Sequence, residues 1–297
     1  MELVVVGHLS RDLLITPTTT KEALGGGTAY AMIAPSIGVS SGIVTKVGDD
    51  FETNYHKTLE SSGLNLTGLI ADGKRTTRFV NKYDPVGNRT QFVEAIAPQI
   101  LPEDFSQQHL ESKIIHFSPL TAHDIHPTCI EQAHNTGALT SIDVQGYLRA
   151  IDKGGQVIAQ EWSHHDNILK MVDVVKFHQD ELQMTLRAES EPSAVKAILD
   201  LGPKIILVTR DLRGSTIYTR EGYVDIPLIP ANVQVDTTGC GDTYTIGFLV
   251  DYLHSGDVRH AGFFAATCSS FNVETLGPYG MPSRGDVDSR MKRYFTT

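Results

Sequence analysis

Few cysteines, no long apolar run and no excess of basic charge mark this 297-residue chain. Its three cysteines, Cys129, Cys240 and Cys268, are too few and too scattered for a disulfide framework or a four-thiolate zinc site, which fits a reducing compartment. No stretch approaches the ~20 apolar residues needed to span a bilayer. The short apolar run at the start has neither a basic leader before it nor a small-residue cleavage site after it. A cytoplasmic location without membrane contact is therefore expected. With 35 acidic against 25 basic residues the formal net charge is −10, so the clustered Lys and Arg that neutralise nucleic-acid phosphates are missing. A small-molecule partner is expected instead. The absence of any fixed-period repeat excludes a solenoid or propeller.

What is present is alternation. Short β-branched runs recur at residues 3–6, 43–47, 114–117, 139–142, 172–176 and 205–209, and segments of helical spacing such as 52–62, 127–136 and 192–201 lie between most of them. Such a pattern predicts βαβ units, and hence a mostly parallel sheet covered on both faces. One stretch breaks the rhythm. TTRFVNKYDPVGNRTQFV, residues 76–93, is two alternating runs around Asp-Pro-Val-Gly-Asn, the chemistry of a hairpin turn. Together with the turn-rich segment after Asp12, it predicts a small β lid from segments 13–23 and 74–95, carried by a single α/β domain over residues 1–297.

The chemistry concentrates in VDTTGCGDTYTIGF, residues 235–248. Ile246, Leu249, Val250 and Leu253 recur at helical spacing, which places Asp242 at a helix start behind a small-residue turn. The first amides of a helix lack internal partners and, with the macrodipole, attract negative charge. Asp242 is equally well placed to be a plain N-cap, although a cap explains neither the glycines nor the second acid, Asp236. Cys240 is a competing nucleophile, since a thiol at a helix N-terminus is easily ionised, but no histidine lies nearby in sequence. LGGGTAYAMIA, residues 24–34, suits either a backbone packed against a ligand or a flexible turn. Asp12 lies just past the first strand, where open parallel sheets bind ligands. In VVKFHQDELQM, Glu181 is a candidate Mg²⁺ carboxylate or a solvated first-turn acid. The histidines, His116, His123, His126, His164 and His165 among them, lack the spacing of a hydrolytic metal site.

Taken in order, these motifs resemble the ribokinase-like PfkB carbohydrate kinase family. The match rests on DTTGCGDT, similar to the family's D-T-T/P-G-A-G-D signature with Cys240 where Ala is usual, and on GHLSRD, LGGG, KVGDD and VTRDLRGS. The resemblance implies a three-layer α/β/α sandwich with a mostly parallel central sheet and a small β lid. It implies ATP-dependent phosphorylation of a hydroxyl, with Asp242 as general base and the amides of Gly239, Cys240 and Gly241 as anion hole. Asp12, Gly26, Gly27 and Tyr30 would hold the acceptor. Thr209, Gly214 and Asn272 would border the nucleotide, and Glu181 would organise Mg²⁺ through water, with His178 in place of the family's Asn. Asp236 and Thr238 fall where related kinases hold K⁺. Tyr30, where ribokinase-like sugar sites carry Asn, together with IDVQGYLR at residues 142–149, is similar to plant-type myo-inositol kinases. The expected acceptor is thus a sugar or cyclic polyol, myo-inositol first. Alternatives are a nucleoside or other sugar kinase of the family, a thiol enzyme using Cys240, and a catalytically silent sugar-binding protein. A monomer, or a homodimer joined through the lid, is compatible with this reading.

Overall fold

The computed structural model describes residues 1–86, 88–186 and 188–295. Along the first third run β1 (Leu3–Val6), β2 (Ser10–Ile15), β3 (Thr20–Gly25), β4 (Ser41–Val47), β5 (Asn65–Ala71), β6 (Arg78–Tyr83) and β7 (Arg89–Ala95). The remainder carries β8 (Ile114–Phe117), β9 (Leu139–Asp143), β10 (Arg149–Ile151), β11 (Val157–Ala159), β12 (Val174–His178), β13 (Ile205–Thr209), β14 (Ser215–Thr219) and β15 (Gly222–Ile226).

Nine strands form the central sheet in the order β15-β14-β13-β12-β9-β8-β1-β4-β5. Its pairs are parallel except those made by β14, which runs against both neighbours. Successive residues of β1 feed opposite cores, which is why the strand is apolar throughout. Leu3 and Val5 pack with Ile246, Phe248 and Phe264, and Val4 and Val6 with Phe117, Ile130 and Ile142. Helices Cys240–Ser255 and Val258–Asn272 cover the first face, and Pro127–Thr136 and Glu191–Leu201 the second. Each fully buried Ile or Phe contributes about 1.5–3 kcal/mol. The helix behind Asp242 is therefore firmly seated.

The expected sandwich, lid and parallel core are present, with differences in detail. The run at 172–176 is a strand two residues later, Val174–His178, because Val172 packs in the preceding turn. The segment before the glycines, expected to be turn-rich, ends in strand β3. The lid sheet has the order β3-β2-β6-β7, with β2 and β6 parallel and the outer pairs antiparallel. Asp84 accepts the amides of Val86 and Asn88 in the expected hairpin turn, whose Gly87 lies outside the described residues. An unanticipated hairpin, β10 with β11, touches the lid edge where Val93 N–H donates to Gly155 O at 2.8 Å. No helix among the described residues is long and apolar enough to cross a membrane.

Candidate active site

Open parallel sheets bind ligands beyond the carboxyl ends of their strands. Here a cavity of about 750 Å³ opens at that edge, lined by Ser118 after β8, Asp143 of β9, Lys176 of β12 and Thr209 of β13. The lid strands β2, β6 and β7 close it from above, and the start of helix Cys240–Ser255 closes it from the side.

The turn into that helix is held from behind. Asp236 accepts the amides of Thr238 at 2.9 Å and Gly277 at 3.4 Å, and Asn272 Nδ2 donates to Thr238 O at 2.8 Å. Gly239 sits at the N-cap with φ 76°, and no side chain caps the helix. Among the described hydrogen bonds the amides of Gly241 and Asp242 have no protein acceptor, whereas Cys240 N–H donates to Thr237 O at 3.3 Å. The 16-residue helix thus presents free amides at its positive end, an arrangement suited to an anion.

Asp242 does not cap its own helix. Its Oδ1 accepts from Ser118 Oγ at 3.1 Å across the cavity floor. Burial pushes its carboxyl up to about 6, with Asp143 adding to the rise and Lys176, Ser118 and Arg149 opposing it. A carboxylate poised there is suited to accept a proton near neutral pH. Gly27 makes room for it, because a Cβ on Gly27 would stand 1.9 Å from Ser118 Oγ and 2.6 Å from Asp242 Oδ1. The glycine run is therefore a matter of close packing rather than of flexibility.

On the acceptor side, Asp12 lies inside lid strand β2, where burial raises its carboxyl to about 6 and its Oδ1 has no partner. Tyr30 packs its ring on Gly239, and its buried hydroxyl also lacks a partner. Buried polar atoms without partners are costly unless a ligand meets them. Gln91 Nε2 donates to Asn81 Oδ1 at 2.9 Å on the lid, and Arg149 donates to Gln145 on the floor, all four lining the cavity.

The sequence matches the pfkB family of carbohydrate kinases over residues 2–284. The chain belongs to this family. It is 27% identical to a nucleoside kinase of Methanothermobacter thermautotrophicus, over 97% of this chain and 95% of that one. It is 24% identical to the inositol 3-kinase of Arabidopsis thaliana, over 93% of this chain and 74% of that one. A solved pyrophosphate-dependent kinase of the ribokinase family, complexed with a pyrophosphate analog and myo-inositol, matches with a TM-score of 0.83 at 23% identity, over 97% of this chain and 99% of that one. The fold is ribokinase-like and the chain is a phosphotransferase.

Within this pfkB kinase, Thr209 and Gly214 border the far end of the cavity beside Leu212, Leu228 and Ile229. Asn272 does not line it. The side chain is buried behind the turn, accepting from Thr243 Oγ1 and donating to Thr238 O, so it braces the helix start from behind and does not face the cavity. Asp236 and Thr238 brace the same loop. Glu181 lines the cavity and caps its own helix by accepting His178 N–H. It shares that wall with Asp143 and Asp211, and a carboxylate at such a place suits an ion held through water. Burial pushes the Cys240 thiol up against the hydrogen bonds of Asn272 and Ser269, and the carboxylates of Asp236 and Asp242 add to the rise. That environment is the reverse of what a nucleophilic thiol needs.

Sequence reasoning missed Ser118, Lys176 and Asp143. Lys176 carried a readable signal, a charge inside the apolar run of VVKFH, and Asp143 ends the mixed strand LTSID, but which groups they face depends on sheet order.

Proposed function

We propose that this pfkB kinase transfers the γ-phosphoryl group of ATP to a hydroxyl of a cyclic polyol or sugar, myo-inositol first, with Asp242 as the base. The observation that carries this reading is the Asp242 carboxylate placed beside unpartnered amides at a helix start. The acceptor hydroxyl loses its proton to Asp242 as its oxygen attacks the γ-phosphorus, and the bond to the β-phosphate oxygen breaks with its electron pair leaving on ADP. The amides of Gly241 and Asp242 stabilise the transferred group, and Asp12, Tyr30 and the Asn81–Gln91 pair orient the acceptor. Mg²⁺ accompanying the donor would neutralise phosphate charge, near Glu181. The apolar wall of Leu212, Leu228 and Ile229 supports a nucleotide donor, since bare pyrophosphate has nothing to place against it.

A nucleoside acceptor is the second reading. It is favoured by Phe79 and Tyr83, which line the lid side and offer rings to a base. An ATP-consumption screen over polyols, hexoses, pentoses and nucleosides decides between the two. In the same assay Asp242→Asn is expected to lower kcat by about 10³-fold while ATP affinity stays within a few-fold. Near-normal turnover by that variant would remove Asp242 from the role of base.

A further inference from the structure

A buried ion pair is weak evidence for stability, since well-packed apolar residues often do as well in its place. Lys176 and Asp143 form such a pair, at 3.0 Å with side chains only 6% and 4% exposed. Sheet register creates it. β12 and β9 run parallel with Lys176 opposite Asp143, so both side chains leave the same face at the carboxyl edge. The ammonium then reaches past its partner, and a Cβ placed on Gly241 would stand 3.1 Å from Lys176 Nζ. Among the described contacts Asp143 is the one acceptor of Nζ, and a lysine ammonium has three donors. Both residues line the cavity, so the remaining donors are available to whatever the Gly241 amide binds.

We propose that Lys176 is a further catalytic residue, its ammonium held by Asp143 so as to bind the phosphoryl group in transfer and complete the anion hole with a full positive charge. This rests on the assignment of that group's position beside Gly241 and Asp242. Burial alone would lower the lysine's proton affinity, but the carboxylates of Asp143 and then Glu181 hold it above the ordinary lysine range. Lys176 therefore keeps its proton throughout. The new bond is still acceptor oxygen to phosphorus, the broken one phosphorus to the ADP oxygen, and the released proton goes to Asp242. Lys176 contributes charge and hydrogen bonds only, the role of a point-charge phosphate binder.

The pair also brackets Asp242, since Asp143 raises its carboxyl while Lys176, Ser118 and Arg149 lower it. Loss of Lys176 alone should therefore move the acid limb of the kcat/KM profile to higher pH, and loss of both charges should bring it back.

The test compares wild type, Lys176→Met, Lys176→Arg and the double variant Lys176→Met/Asp143→Asn in ATP-dependent phosphorylation of the acceptor chosen by the screen, starting with myo-inositol. Lys176→Met is expected to lose about 10²-fold in kcat with acceptor KM within about threefold, and Lys176→Arg to recover part of the loss. The double variant leaves no buried charge unpaired, so it should melt close to wild type yet remain slow. If Lys176→Met alone fails to fold, the double variant carries the test. A double variant that regains wild-type kcat within threefold would overturn the proposal and leave the pair a structural one. Asp242→Asn is run alongside, because turnover by that variant with none by the lysine variants would sink the base assignment and spare the lysine.

Discussion

On the sheet side of the cavity, the groups facing the reaction centre are backbone amides and a charged pair with side chains almost wholly withdrawn from water. On the lid side they are side chains on strands that rise above the sheet, Gln91 and Arg89 half-buried or exposed, Asp12 and Asn81 buried. In the first arrangement an amide cannot be exchanged without moving the helix, and neither member of the ion pair can be changed alone without leaving the other buried and unpaired. The second permits exchange of one side chain for another on an intact strand. Under the proposed function, the transfer chemistry rests on backbone and a paired charge while acceptor choice rests on single side chains, a division that suits a family whose members act on different acceptors.

The largest contrast should come from matched single changes on the two sides. Gly239 needs its left-handed backbone, and a Cβ there would stand 1.9 Å from the Tyr30 ring. Gly239→Ala is expected to cost about 2–4 kcal/mol of stability and to lower kcat by about 10²-fold, read by thermal melts and steady-state kinetics. A variant as active as wild type would mean that the turn is not fixed by this packing. On the lid, Asn81→Leu removes one amide of the Asn81–Gln91 pair but keeps strand β6. Its expected effect is about a tenfold rise in acceptor KM, with kcat within about threefold and a changed order of preference across the acceptor panel. If kcat falls as far as in the glycine variant, the two sides are not separable and the comparison fails.

Legibility in the sequence divides along the same line. Local chemistry was readable. Strands 114–117 and 205–209 and helix Pro127–Thr136 fall where apolar periodicity places them, and Asp242 is marked by the glycines and helical spacing around it. Contacts between distant segments were not. Ser118 meets Asp242 across 124 positions, and Lys176 meets Asp143 only because their strands are neighbours in register. Asn272 shows the same limit from the other direction, since its position in the chain suggests a nucleotide contact and its hydrogen bonds make it a brace. The hairpin of β10 and β11 was hidden by its shortness, three residues a strand, and by leaving the strand-helix alternation.

The smallest expected effect concerns stability, and it tests whether the sheet side is held at a cost to the fold. Burial raises Asp242 from an ordinary 3.8 to about 6. A carboxyl whose folded value lies above its unfolded one contributes most below the unfolded value, and that contribution is lost as pH climbs through the folded value. The window therefore runs from about pH 4 to 6, and at pH 8 the wild type carries the full cost of a buried charge. Asp242→Asn, nearly inactive, should melt about 2–4 °C above wild type at pH 8, and the difference should close as the pH falls below 4. Equal melting temperatures at pH 8 would mean that Lys176, Ser118 and Arg149 fully offset the burial of Asp242. The lid carboxylate offers the contrast, since Asp12 is raised to a similar value by burial, opposed by Ser10 and then by the more distant Arg149, Arg89 and Arg78. Asp12→Asn should gain stability in the same pH window while retaining measurable turnover, which separates a charge kept for chemistry from one kept for holding the acceptor.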